Sequence, residues 1–133
     1  MIYLLDTHTF IWTILKKDNL SKKSMEIISD KKNEICLSTA SFWEISIKTR
    51  LQKFSFKNIN IKDFPKYARD MDFSILDIQE NETITFHELQ PKKNHKDPFD
   101  RMLIWQAITK GMTLISKDRL FSQYKIDGLK LIW

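Results

Sequence analysis

The chain has 133 residues, enough for one domain with a buried core and too few for several. A formal charge of +5 favours a polyanionic partner such as nucleic acid, with a solvated lysine-rich surface as the alternative, and a single cysteine excludes an internal disulfide. No apolar run reaches the roughly 18 residues of a membrane span, and Met1-Ile2-Tyr3-Leu4-Leu5-Asp6 lacks a basic leader, so a cytoplasmic protein is expected.

Ile2 to Leu5 is a continuous apolar run, which predicts a strand buried on both faces. Thr7 or Thr9 can cap a short helix carrying Phe10, Ile11, Ile14 and Leu15. Ser21 is placed to cap a second helix with Met25, Ile27 and Ile28. Ile35 to Leu37 predicts the second strand, with Cys36 as a small core residue. Thr39 or Ser41 opens a third helix, and Phe54 and Phe56 follow in a polar surround. Asp63 can cap a helix containing Phe64, Tyr67, Ala68 and Met71. Ser74 to Ile78 is the third predicted strand, followed by a short helix around Thr83 to Leu89. Asp97-Pro98 begins the strongest helix of the chain, which ends at Gly111. Thr113 to Ser116 and Leu129 to Trp133 complete five strands. Alternating strands and helices predict an α/β fold with a mostly parallel five-stranded sheet covered by helices on both faces. Only two glycines and three prolines occur, so residues 1–133 are expected to form one unit without a linker.

Sites in such sheets form outside the carboxyl ends of the strands. Asp6 and Asp118 fall at such ends. Asp6 is either a site residue or the cap of the next helix, and Asp118 is either a site residue or the cap of a short turn. Glu44 joins or borders an apolar stripe of Ala40, Trp43, Ile47 and Leu51, where an unpaired carboxylate is costly. The alternative for Glu44 is an ion pair with Lys48 one turn later. In His95-Lys96-Asp97-Pro98-Phe99-Asp100-Arg101, Asp97 reads as the helix cap. Asp100 then falls in the first turn, where the helix dipole favours an ionised carboxylate. Gathered carboxylates repel, so Asp6, Glu44, Asp100 and Asp118 call for a cation. All-oxygen ligation points to Mg²⁺, with Mn²⁺ as the other candidate, and hence to phosphate chemistry. Lys48, Lys96, Arg101 and Lys117 are candidates to steer a nucleic-acid backbone, or are ordinary surface charge. His8, His87 and His95 share no metal-site spacing and read as packing or surface residues, with a minor role near the site open to His8.

Four segments carry a resemblance. They are Leu4-Leu5-Asp6-Thr7-His8-Thr9-Phe10-Ile11-Trp12, Ser38-Thr39-Ala40-Ser41-Phe42-Trp43-Glu44-Ile45-Ser46-Ile47-Lys48, the stretch from His95 through Asp97-Pro98-Phe99-Asp100-Arg101 to Ala107, and Leu114-Ile115-Ser116-Lys117-Asp118. In this order the chain resembles the PIN-domain nucleases, and within them the VapC-like toxins of type II toxin–antitoxin modules. The resemblance implies a PIN-like three-layer fold in which the strand after the Asp97 helix lies beside the first strand. It implies an Mg²⁺-dependent endoribonuclease whose acids are Asp6, Glu44, Asp100 and Asp118, with Asp6 and Asp100 as direct ligands. It also implies an RNA substrate, a cognate antitoxin that covers the site, and a homodimer. Trp12, Phe54 and Phe56 are candidates for an antitoxin groove, or for packing. The rival readings are a PIN-fold nuclease that matures RNA without toxin duty, a degenerate PIN binding module, and a phosphatase or receiver domain. The last lacks the second acid expected two residues after Asp6.

Overall fold

The computed structural model describes residues 1–133. Five strands, β1 (Ile2–Leu5), β2 (Glu34–Ser38), β3 (Ser74–Leu76), β4 (Thr113–Ile115) and β5 (Lys130–Ile132), form one sheet in the order β3-β2-β1-β4-β5. Every pairing is parallel. The strand that follows the Asp97 helix therefore pairs with β1, as expected. Six helices connect and cover the sheet: α1 (Thr7–Leu15), α2 (Lys22–Ser29), α3 (Thr39–Arg50), α4 (Phe64–Asp70), α5 (Glu80–Thr85) and α6 (Pro98–Lys110). A long 3₁₀ segment, Arg119–Asp127, leads into β5. No helix is long and apolar enough to cross a membrane.

The alternation of side chains along each strand divides the core in two. Leu4, Cys36 and Leu114 are in register and pack with Leu103, Ile104, Phe121 and Tyr124 on one face. Leu5, Leu37 and Ile115 point the other way, onto Phe10, Ile45, Phe64 and Ala68. Both faces are thus covered, which is why the central strands read as unbroken apolar runs. Cys36 is buried, and burial first, with the neighbouring Glu34 charge, pushes its thiol up to about 11.

Several predicted boundaries and caps move. Asp6, not Thr7 or Thr9, caps α1. Ser38, not Thr39 or Ser41, caps α3 by accepting from Ala40 N–H at 3.0 Å. The Asp63 side chain makes no capping bond; Asn60 caps the 3₁₀ turn Ile61–Asp63, which runs directly into α4. β3 stops at Leu76 because Ile78 N–H donates to Thr39 Oγ1 at 3.2 Å, leaving the ladder. The helix expected around Thr83 starts earlier, at Glu80, because Gln79 and Glu82 form a capping box, and it ends in a 3₁₀ turn at Phe86–Glu88. Gly111 ends α6 in the left-handed conformation at φ 67°, where a side chain would be strained.

The chain steps outward from β1 to β2 to β3, then returns to β4 on the far side of β1. The order reverses between β1 and β4, and a crevice opens at their carboxyl ends. Asp6 follows β1 there, and Ser116 follows β4.

Candidate metal centre

A cleft of about 320 Å³ opens at that crevice, lined by Asp6, Glu44, Asp100 and Asp118 together with His8, Trp12, Lys48, Lys117 and Phe121. All four acids singled out in the sequence therefore meet in one place. Each is aimed by a different local device.

Asp6 is buried and does two things. Its Oδ1 accepts from Thr9 N–H at 2.7 Å and so caps α1, while its Oδ2 accepts from the Ser116 hydroxyl. Cap and site residue are thus one and the same. Ser116 Oγ also accepts from Asp118 N–H at 3.1 Å, so a single buried hydroxyl ties the first acid to the fourth. Burial raises the Asp6 carboxyl above its usual range, against the lowering effect of the Ser116 and Thr9 hydrogen bonds. Asp118 caps the 3₁₀ segment through Leu120 N–H at 2.9 Å.

Glu44 lies on the buried face of α3, but that face is not the one predicted. Ala40, Ser41, Glu44 and Ile45 are buried, whereas Trp43 and Leu51 are 59% and 58% exposed. Trp43 packs edge-on against Phe99 at the surface. The apolar stripe misled because α3 must turn its polar side toward the acids. Glu44 does pair with Lys48, which also reaches Asp97 Oδ2 at 3.8 Å. Burial alone would lower the Lys48 ammonium; its hydrogen bond with Glu44 and the charges of Glu44, Asp97 and Asp100 outweigh that and raise it. Glu44 Oε1 is buried with no hydrogen-bond partner.

Asp97 caps α6 as expected, with Oδ1 accepting from Phe99 and Asp100 N–H groups at 2.8 and 3.1 Å. Its carboxylate also groups with Glu44 and Asp100, oxygen atoms of all three lying within 4.8 Å of one another. Asp97 therefore belongs to the edge of the site as well as to the cap. Asp100 also belongs to a second such group, with His95 and Asp118. Burial, then the charges of Asp97, Glu44, Asp6 and Asp118, push its carboxyl up to about 8. Asp100 is thus the point on which the whole cluster converges.

A PIN-domain family model matches residues 3–127. The chain belongs to the PIN-domain family. Among solved structures, this PIN domain is similar to a chain of VapBC2 from Rickettsia felis bound to a promoter DNA fragment, with 21% identity over 99% of this chain and 98% of that one and a TM-score of 0.71. It is similar to a chain of DNA-bound VapBC from Salmonella typhimurium, with 18% identity, coverage of 99% and 97%, and a TM-score of 0.67. A third similar structure is VapBC-1 from nontypeable Haemophilus influenzae, with 19% identity, coverage of 99% and 97%, and a TM-score of 0.64. At these identities the likeness is one of fold. No curated protein matches the chain at a significant level.

The acids of this PIN domain suit a hard divalent cation. The donors are carboxylate oxygens, one of them buried without a partner, and the mutual repulsion that raises Asp100 is what such an ion would relieve. Asp6, Asp100, Glu44 and Asp118 are the residues that would hold it.

The basic residues divide. Lys48 and Lys117 line the cleft, with the Lys117 ammonium over the Trp12 ring. Lys96 is exposed beside α6 and does not line it. Arg101 points away from the cleft. Its guanidinium donates to Leu89 O at 2.9 Å, Gln90 O at 3.3 Å and the Tyr124 hydroxyl at 3.2 Å, and packs over Phe86. A steering role for Arg101 is corrected to a structural one: it ties α6 to the loop before it. Arg101→Ala is expected to lower the melting temperature by several degrees, about 2 kcal/mol of lost charged hydrogen bonds. A thermal melt of the variant checks this.

Trp12, Phe54 and Phe56 are half-buried. They form an aromatic run beside the cleft, Trp12 and Phe54 flanking His8 and Phe56 packing on Phe64. His8 is exposed at the rim. His95 is a packing residue, one of the two readings its sequence offers, and it also reaches the site. It is buried, with Nε2 3.3 Å from Asp100 Oδ2 and Nδ1 2.7 Å from the Tyr124 hydroxyl. Its place five residues before Asp100, at the head of the third segment of resemblance, does not distinguish a partner of the site from a loop residue.

Proposed function

We propose that this PIN domain is a divalent-metal-dependent endoribonuclease and the toxin of a VapBC-type toxin–antitoxin pair. One observation carries the reading: four separated acids converge at the β1–β4 crevice, and Asp100 among them is raised to about 8 by burial and by the other carboxylates. Such a cluster is poorly suited to remain without a cation, and Mg²⁺ is the cation that goes with phosphate chemistry.

When bound, the ion supplies charge neutralisation at the phosphate and a more acidic water. Asp6 and Asp100 would hold it, each pre-aimed: Asp6 by its bonds to Thr9 and Ser116, Asp100 by the Asp97-capped start of α6. Glu44 and Asp118 would complete the site. Lys117 and Lys48, the ammonium groups of the cleft, draw the RNA backbone toward the acids. The leaving group is the 3′-oxygen, giving 5′-phosphate ends, as the resemblance implies. The antitoxin partner is proposed from the VapBC complexes among the similar folds, and its docking place is the aromatic run beside the cleft. A homodimer and a cytoplasmic site of action belong to the same reading.

The toxin claim is tested in cells. Expression of the chain should arrest growth, and co-expression of the proposed antitoxin should relieve the arrest. Asp6→Asn and Asp100→Asn, expressed at the same level, should not arrest growth. Arrest that persists in both variants would contradict the reading.

A further inference from the structure

The groups that touch His95 favour one assignment of its donors. Arg101 has only N–H groups, so its 3.2 Å contact with the Tyr124 hydroxyl makes that oxygen an acceptor. Tyr124 is fully buried, so its own O–H needs a partner inside the protein. His95 Nδ1, at 2.7 Å, is the acceptor in reach. A neutral imidazole that accepts at Nδ1 carries its proton on Nε2. Nε2 faces Asp100 Oδ2 at 3.3 Å. The bonds therefore run in one direction: Arg101 to Tyr124, Tyr124 to His95, His95 to Asp100.

The rest of the loop holds this arrangement in place. The His95 ring is wedged against Phe121 and Tyr124 with centroid distances of 5.3 Å each. Asn94 adopts a left-handed φ of 65° immediately before it, and Lys92 pairs with Asp127 at 2.6 Å. Arg101 is itself fixed by two backbone carbonyls. A buried histidine held on an otherwise largely exposed loop by anchors on both sides is fixed by more than the packing of its ring.

We infer that His95 is a positioning residue for the metal-binding carboxylate: as an Nε2–H donor whose tautomer Arg101 and Tyr124 impose, it orients Asp100 and does not itself ligate the ion. The inference rests on the metal-centre reading above. It also decides between two roles, because His95 shares a group of possible ligand atoms with Asp100 and Asp118. A ligand needs its nitrogen lone pair free, and the chain of donors places a proton there.

The tautomer is measurable on the metal-free protein, by long-range ¹⁵N–¹H correlation spectra, with the His95→Gln spectrum identifying the His95 signals. The expected result is an unprotonated Nδ1 and a protonated Nε2; a protonated Nδ1 overturns the inference, whatever the protein does to RNA. Tyr124→Phe keeps the ring but removes the hydroxyl, and should turn the single tautomer into a mixture; an unchanged spectrum overturns the role given to Tyr124. Mn²⁺ affinity provides the second readout. His95→Leu should bind Mn²⁺ about tenfold more weakly, whereas His95→Gln, whose amide can still donate to Asp100, should stay within about twofold of wild type. Equal losses in both folded variants would reduce His95 to packing. Where the leucine variant does not fold, Tyr124→Phe takes its place, and an Mn²⁺ affinity equal to wild type in that variant counts against the inference. If the parent chain binds no Mn²⁺ while the tautomer is as stated, the metal reading fails and the assignment of the donors stands.

Discussion

Asp100→Asn is expected to make the metal-free protein more stable at pH 8 and to remove RNA cleavage. The sign follows from linkage. The folded carboxyl is held at about 8, above its ordinary 3.8, so between those values the folded state binds a proton that the unfolded state has lost. Stability contributed by that proton is present at low pH and lost as pH rises toward 8. Asparagine cannot ionise, so the loss is absent in the variant, and its melting temperature at pH 8 should exceed wild type by roughly 5–10 °C. At pH 5 the difference should largely vanish. Cleavage in Mg²⁺ should fall by at least about 100-fold, because the residue on which the cluster converges no longer offers a carboxylate. Divalent cation should stabilise the wild-type chain at pH 7 with release of about one proton, and should do neither in the variant. Melts at pH 5 and 8, and titration of Mn²⁺ in two buffers of different ionisation enthalpy, check these statements. A variant that melts below wild type at pH 8 would show that Asp100 is not held against its own charge.

Lys48→Met has the opposite sign. The Lys48 ammonium is the one cation that touches the acids, pairing with Glu44 and lying 3.8 Å from Asp97. Glu44 is buried while Lys48 stays partly exposed, so removing the lysine strands the carboxylate at a cost of about 2–3 kcal/mol. The metal-free variant should therefore melt well below wild type. It should also gain more from Mn²⁺ than wild type does, since no internal cation competes for Glu44. The double variant Lys48→Met with Glu44→Gln should recover much of the lost stability, because the stranded carboxylate is gone. Melts with and without Mn²⁺ for wild type, Lys48→Met, Glu44→Gln and the double variant form a complete cycle. Additive losses would show that Lys48 and Glu44 act independently.

The two predictions describe one trade: the cleft keeps carboxylates that destabilise the folded chain. This is also why the acids were legible in the sequence. A carboxylate at a strand end, or on the buried side of a helix, breaks a local rule, and such breaks gather at functional sites. The strand pattern was legible for a related reason, since a sheet covered on both faces leaves unbroken apolar runs at β1, β2 and β4. The caps were less legible. Asp6, Thr7 and Thr9 are all good capping types, and only backbone geometry selects Asp6. The face of α3 was misjudged because Trp43 and Leu51 look like core residues, yet the helix turns Ser41 and Glu44 inward. The contacts of Arg101 and His95 were not legible because their partners, Leu89 O, Gln90 O and Tyr124, lie on a loop and a 3₁₀ segment whose approach no local pattern encodes.

Single-turnover cleavage of a 5′-labelled RNA by the purified chain tests the central claim most directly, with wild type and Asp100→Asn compared in Mg²⁺ and in EDTA. Fragments with 5′-phosphate and 3′-hydroxyl ends are expected from the wild type in Mg²⁺ alone. Cleavage that survives EDTA, or that proceeds undiminished in Asp100→Asn, would contradict a metal centre built on these acids.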